Sequence, residues 1–515
     1  MIGRFVVLIV LGLAMALAVP SPVDAAKDHL IVAHEDAVKT MDYYQTTARI
    51  GIITGYMIWD PLLERNAKDG SLRPHLVTSW KNINPATWEF KLRPGVKFHN
   101  GNPLTAEAVR FTLEDRILDP KQKSPTLPGW KWVKKVEVVD DLTFRIITEQ
   151  PYPLILERLN VLFIYDPKWT REMVAKHGEN YLARNAMGTG PYKFVKFEEG
   201  IKIELVRNDN YWKKDWPKFK KMTIRFIPEM ATRMAELISG GIDACDSILP
   251  DQMASIEQNK TTKIIEVPIL RVNFWQFDGD GRAPGTPPAL KDIRVRRAIW
   301  HAIDREAIIK NVLGGHADLV NIPMNPKQFA ADLSIKGLEY NPEKAKALLK
   351  EAGFEKGFSV NLWTYTAITK QVNEAAAGYL DKVGIKLIIK DYVGRVGEME
   401  KISTAGKTDG ILNMTWGSYN IFDPDAIMPN FFMPPEASYC YNNDSELNAW
   451  LREARSTLDQ KLRKELYFKA QKRIIDRVYW LPFFTQRDIH GSNQKLSYEL
   501  GPDQVPRYQY ATWQE

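Results

Sequence analysis

The sequence predicts an α/β protein built from at least two lobes. Its length is the first observation: about 490 residues remain after an N-terminal export signal, and single cores stop growing near 250–300 residues. The second is the alternation of patterns. Short apolar runs bounded by Gly, Pro, Asn and Asp fill the first half, and capped helices interleaved with apolar strands follow Asp292. Charge excludes little. The net +7 is spread as Lys and Arg beside Asp and Glu, with no basic run interleaved with aromatics, so a solvated mixed surface is expected and nucleic acid is not.

The first 25 residues read as a secretory signal. Arg4 supplies the positive start, Phe5 to Val19 an apolar run, and Val23-Asp24-Ala25 small residues at a cleavage site. An uncleaved anchor is the alternative, but the run falls short of the roughly 20 apolar residues that span a bilayer. Neither Cys245 nor Cys440 lies near that site, so no lipid anchor is expected. A soluble, exported protein of a Gram-negative periplasm follows. There Cys245 and Cys440 form either one disulfide or two free thiols.

Leu30 to Ala33 is the first strand, with Thr40-Met41-Asp42 in the loop beyond. Gly55 to Glu64 reads as a helix, Thr87 to Leu92 as a strand, and Lys134–Val139 with Asp141–Thr148 as a hairpin. Between them, Leu92 to Arg110 packs a strand end, two turns and a helix start. Arg93-Pro94-Gly95 turns the chain, Val96 and Phe98 alternate with Lys97 and His99, and Thr105 caps a helix with Glu107 in its first turn. A strand pair follows around Tyr192–Phe197 and Ile201–Leu205, then a strand at Met222–Ile227 and a helix at Ala231–Ile238 ended by Gly240-Gly241. Asp292, Asp304 and Asn341 cap three further helices, the last with Pro342 at its first position. Strands at Phe358–Trp363, Ile385–Ile389 and Ile411–Trp416 alternate with helices at Thr369–Val383, Ser445–Thr457 and Leu458–Val478.

Taken in order, several blocks resemble one family: Pro61 to Arg65 with Asp69-Gly70, Leu92 to Val109, Gly188 to Tyr192 with Arg207 to Trp212, Asp292 to Arg305, Asn341 to Gly353, and Trp416-Gly417 with Asp423-Pro424. They are similar to solute-binding protein family 5 of the ABC importers, and the resemblance covers nearly the whole mature chain. It implies the large, two-lobed periplasmic-binding-protein-like II fold, hinged between lobes. Lobe I would cover 26–271, with a strand-rich insertion at about 60–187; lobe II would cover 272–481, and 482–515 would return to lobe I. It also implies a monomer that closes over a ligand and hands it to an inner-membrane ABC permease, with no cofactor.

Clefts in open α/β lobes lie beyond strand ends, so loops there are the candidate ligand readers. These are Thr40, Met41 and Asp42; Gly190 and Tyr192; Asn273, Trp275 and Phe277; Trp363, Tyr365 and Thr366; and Trp416, Gly417, Ser418, Tyr419, Asn420 and Asp423. Ordinary core packing is the alternative for each single aromatic. The Trp416 loop is the strongest, since strand end, Gly and polar residues coincide there. In similar peptide receptors an Asp shortly after the Trp-Gly pair takes the peptide amine, where this chain has Ser418 and Tyr419. A carboxylate-binding Arg after the Trp363-like strand is replaced by Ile368, Thr369 and Lys370. Dipeptides are therefore disfavoured. A longer peptide, or a non-peptide such as an opine or oligosaccharide, remains open. Asp278 to Pro288 reads as a turn-rich solvent loop or a cleft rim, and lacks the terminal Glu of a calcium loop. The chain carries no nucleophile elbow, His-Glu-x-x-His pair or phosphate loop. No metal site is expected. A secreted hydrolase, or a periplasmic chaperone or sensor on the same fold, is the competitor from another class.

Overall fold

Two long strands, Thr262–Phe277 and Trp480–Asn493, pair antiparallel along their length and run through both halves of the molecule. They are seen in a computed structural model, which describes residues 27–393, 395–417, 420–434 and 437–514. The predicted signal at 1–25 lies outside those residues. Everything else is arranged on either side of this pair.

On one side, called lobe I here, Trp480–Asn493 pairs with Ala244–Cys245, which is followed by His29–His34, Lys221–Phe226, Lys202–Arg207 and Tyr192–Glu198. The second to fourth of these six, Ala244–Cys245, His29–His34 and Lys221–Phe226, are parallel. On the other side, lobe II, Thr262–Phe277 pairs antiparallel with Ile411–Trp416, and Phe358–Thr364 and Ile385–Asp391 continue the sheet in parallel. A separate four-stranded antiparallel sheet, Val77–Asn84, Thr87–Leu92, Thr143–Thr148 and Val133–Asp140, packs into lobe I. Phe90, Phe144 and Ile146 bury its inner face in the same apolar cluster as Leu30, Val32 and Ile224.

Lobe II has apolar layers on both faces of its sheet. Trp275, Leu362 and Ile411 belong to one cluster, Phe274, Leu412 and Met414 to the other. That is how a largely parallel sheet buries both surfaces under helices. Its helices begin where their caps predict: Asp292 accepts from the Arg294 amide, Asp304 from Ala307 and Asn341 from Lys344.

Other expectations are corrected. The helix placed at Gly55–Glu64 lies at Arg49–Ile58, and Leu63–Arg65 is a strand. Thr105 occupies the cap position of Ala106–Arg110, but its hydroxyl accepts no cap bond. Val96 and Phe98 are buried in a turn segment with a single bridge, Lys97 to Pro103, instead of a strand. The segment 278–288 is a solvent-facing loop, with Asp280, Arg282, Pro284, Gly285 and Pro288 exposed. Asp278 is buried and its carboxylate accepts from the Arg282 and Ala283 amides and the Thr286 hydroxyl, which folds the segment back on itself. The cysteines are free thiols in different lobes. Cys245 packs with Leu237 and Ile256, and burial pushes its thiol up to about 12. Cys440 donates to the Asn442 carbonyl at 3.4 Å.

Candidate functional site

Where the crossing strands pass between the lobes, a hollow of about 380 Å³ opens over them. Ile269 and Arg271 of the first strand and Gln486 and Arg487 of the second form its floor. Its walls are loops at the carboxyl ends of parallel strands. Glu35 follows His29–His34, Pro228 follows Lys221–Phe226, and Ser247 to Pro250 follow Ala244–Cys245; Thr366 and Ile368 follow Phe358–Thr364 in the other lobe. Strand ends are where open α/β sheets leave room for ligands.

Arg233, 1% exposed, fixes the lobe I wall. Its guanidinium donates to the carbonyls of Ile227, Pro228, Asp246 and Ser247, tying two wall loops together. Below them Asp246 accepts from His34 at 2.8 Å, from Arg49 at 2.9 Å and from the Glu35 amide at 3.1 Å. Burial alone would raise the Asp246 carboxyl, but His34, Arg49 and His490 outweigh it and hold it well below its usual range. Glu35 goes the other way: burial, then the Asp246 charge, push it up. In the floor, Arg487 is braced by Asp318 at 2.9 Å and Glu266 at 3.4 Å, and His316 sits 3.0 Å from Glu266. With Arg233, Arg271 and Arg487 against Glu35 and Asp488, the lining carries more positive than negative charge.

A second, smaller hollow of about 240 Å³ lies further out, with Tyr43, Thr46, Thr47, Ala48 and Trp130 of lobe I facing Asn420 of lobe II. Thr415 lines the first hollow and Asn420 the second. Gly417 between them presses on the crossing strand so closely that a Cβ would stand 2.8 Å from the Leu270 carbonyl. Ser418 and Tyr419 lie outside the described residues.

Of the expected ligand readers, Thr366 and Asn420 line these hollows and Gly417 lies between them. Tyr365 stands behind the first, its hydroxyl donating to the Thr415 carbonyl at 3.0 Å. The others are placed elsewhere. Asn273 and Trp275 are fully buried, Asn273 bonded to the Met414 carbonyl and the Thr415 hydroxyl, Trp275 to Asn373. The expectation put these positions beyond a strand end, whereas the strand runs on to Phe277 with lobe II packed on both faces. Phe277 shares that burial, and Tyr192 is core of lobe I. Gly190 makes its close approach to Ile58 and not to a ligand. Met41 is core; Thr40 and Asp42 line a separate lobe I hollow, where Asp42 pairs with Arg116 at 2.8 Å. Trp363 donates to Asp409 and stacks on Tyr392, and Trp416 packs edge-on against Phe431 and Tyr439. Asp423 is consumed by Arg463 at 2.9 Å; burial outweighs that pairing and pushes its carboxyl up to about 6. Sequence reasoning missed Arg271, Arg487, Thr415 and Thr46 to Ala48. Arg271 carried a signal, as the only charge between Val267 and Phe277.

The geometry has a known counterpart. A family model described as bacterial extracellular solute-binding proteins, family 5 (middle), matches residues 71–439. The chain belongs to that family. Heme-binding protein A of Haemophilus influenzae is 29% identical over 462 residues, covering 82% of this chain and 81% of that protein. Glutathione-binding protein GsiB of Pectobacterium atrosepticum is 27% identical over 503 residues, covering 95% and 94%. The ABC transporter-associated periplasmic binding protein DppA of Helicobacter pylori, solved with the peptide STSA, superposes with a TM-score of 0.79 at 24% identity, over 95% of this chain and 99% of that one. The fold is thus the two-lobed α/β fold of family 5 binding proteins, whose members named here bind solutes. Among the described residues, no helix is long and apolar enough to cross a membrane.

Proposed function

We propose that this chain is the periplasmic receptor of an ABC importer, which holds a peptide-sized solute bearing an anionic group between its lobes and delivers it to an inner-membrane permease. It works as a soluble monomer, and it binds without converting. The carrying observation is the hollow over the crossing strands, lined by both lobes and floored by Arg271 and Arg487. A ligand that touches both lobes favours the closed form by its differential contacts. A carboxylate there would gain charge-assisted hydrogen bonds from guanidinium groups in a partly desolvated site. The residues that would read the ligand are Arg271, Thr366, Thr415, the Gly417–Asn420 loop with Ser418 and Tyr419, and Thr46 to Ala48.

Free dipeptides remain disfavoured. The acids nearest Trp416-Gly417, Asp423 and Asp425, are both engaged, by Arg463 and Arg455 at 2.9 and 2.8 Å, and neither is free to take an α-amine. A non-peptide anionic solute is the second reading, favoured by that same engagement; the named relatives already include a heme binder and a glutathione binder.

The test is to isolate the protein from periplasm, denature it and identify the released compounds by mass spectrometry. Anionic compounds are expected, either one recurrent solute or a ladder of peptides. Neutral compounds alone would remove the anion reading, and turnover of the bound compound by the refolded protein would overturn binding without conversion.

A further inference from the structure

Lobe II touches lobe I at a place that neither hollow explains. Beyond the Gly417–Asn420 loop, Ile421 is 3% exposed and buried in the apolar cluster of lobe I, not in either cluster of its own lobe. Beside it the Phe422 ring lies under the Arg65 guanidinium at 3.9 Å and against Gly70, where a Cβ would stand 2.4 Å from the ring. The backbone is gripped as well. The Asn420 carbonyl accepts from Arg65 at 2.7 Å and from Asn160 at 2.9 Å, and the Phe422 amide donates to Glu157 at 3.0 Å.

The socket is held together from within lobe I. With lobe II in place, Arg65 and Asn160 are each 1% exposed. Arg65 also donates to Glu157 and to the Gly70 carbonyl, and Asn160 to the Glu157 carbonyl, so all three keep lobe I partners if the lobes part. The plug is fixed from its own side: the Phe422 carbonyl accepts from the Phe329 amide, and Asp423 is held by buried Arg463. A preformed socket and a rigid plug lose little freedom on docking.

We propose that Asn420–Phe422 is a latch that holds the lobes together without ligand, so that the closed form is the major one in the empty protein. Neither Ile421 nor Phe422 lines the hollows described, so these two side chains set ligand affinity through the closed population and not by contact, whereas Asn420 also lines the smaller hollow. It rests on the two-lobe reading only in requiring that the lobes can separate.

Small-angle X-ray scattering on protein stripped by unfolding in guanidinium and refolding tests this without any ligand. The wild-type curve is expected to match the closed coordinates. Phe422→Ala should raise the radius of gyration, with the closed-to-open ratio falling at least tenfold. Phe422→Leu keeps an apolar side chain, loses the ring under Arg65, and should shift part of the way; it also stands in should the alanine variant not fold. A stripped wild type already open, or variants with the wild-type curve, would overturn the latch. A mistaken reading of the ligand would leave this measurement unaffected.

Discussion

His75 illustrates how little of a side chain's role is visible before its partners are known. It is buried, with Nε2 2.8 Å from Asp60 and Nδ1 3.3 Å from Glu64, while Asp60 also accepts from Tyr211 and Thr189. Burial alone would lower its pKa, but Glu64 and Asp60 outweigh it and push the imidazole up to about 9. Because the folded value lies above the unfolded one, the stabilisation is complete below about pH 6.5 and is lost as pH rises through 9, about 3 kcal/mol in all. Glu64 supplies the opposite limb. Its carboxyl is held well below the usual range as His75 and Arg73 outweigh burial, so its contribution is lost on acidification. Urea unfolding between pH 6 and 9.5 should show that decline for the wild type and a flat profile for His75→Gln; parallel profiles would contradict the assignment. At this scale the sequence was legible in residue type only. Arg271 and Asp423 were both visible as charges, and nothing in their spacing said that one faces a hollow while the other is spent on Arg463 forty residues away.

Element ends were legible where a side chain does the capping. Asn341 accepts from the Lys344 amide, with Pro342 at the first position, and the predicted start of that helix coincides with the observed one. The helix at Arg49–Ile58 has Ala48 at its cap with no side-chain bond, and its apolar run continues toward Leu63, so the pattern alone slid it along the chain. The crossing strand erred for another reason. The expectation put Asn273, Trp275 and Phe277 in a loop past the crossover, but the strand runs on to Phe277 and lobe II packs on both of its faces. A capping bond that exists should be measurable and one that does not should be nearly silent. Asn341→Ala is expected to cost about 1 kcal/mol, and Thr105→Ala, whose hydroxyl accepts no cap bond, well under half of that. Denaturant midpoints of the two variants decide it, and equal losses would mean the cap geometry is not what separates these helices.

At the scale of the whole molecule, two contacts bind the lobes by different means, and they can be separated. Arg271 belongs to the crossing strand, which is common to both lobes in the open and closed forms, so removal of its charge is expected to act on the affinity of the closed form. Phe422 crosses the gap, with its ring in the socket around Arg65 and Gly70 and its carbonyl held in lobe II by the Phe329 amide. Apparent affinity is the intrinsic affinity of the closed form scaled by the closed fraction, so the two variants weaken binding through different factors. Arg271→Ala should lower affinity for the co-purifying anionic solute about ten- to hundredfold, the loss of a charged hydrogen bond of about 1.5–3 kcal/mol, with the empty protein's scattering unchanged. Phe422→Ala should lower affinity only by the drop in closed fraction, with the scattering changed to match. The factors are independent, so in the double variant their free energies should add. Titration calorimetry on the four proteins gives both numbers. Strong non-additivity would mean that the anion and the latch act through one shared movement of the Gly417–Phe422 segment, which runs from the crossing strand to the socket.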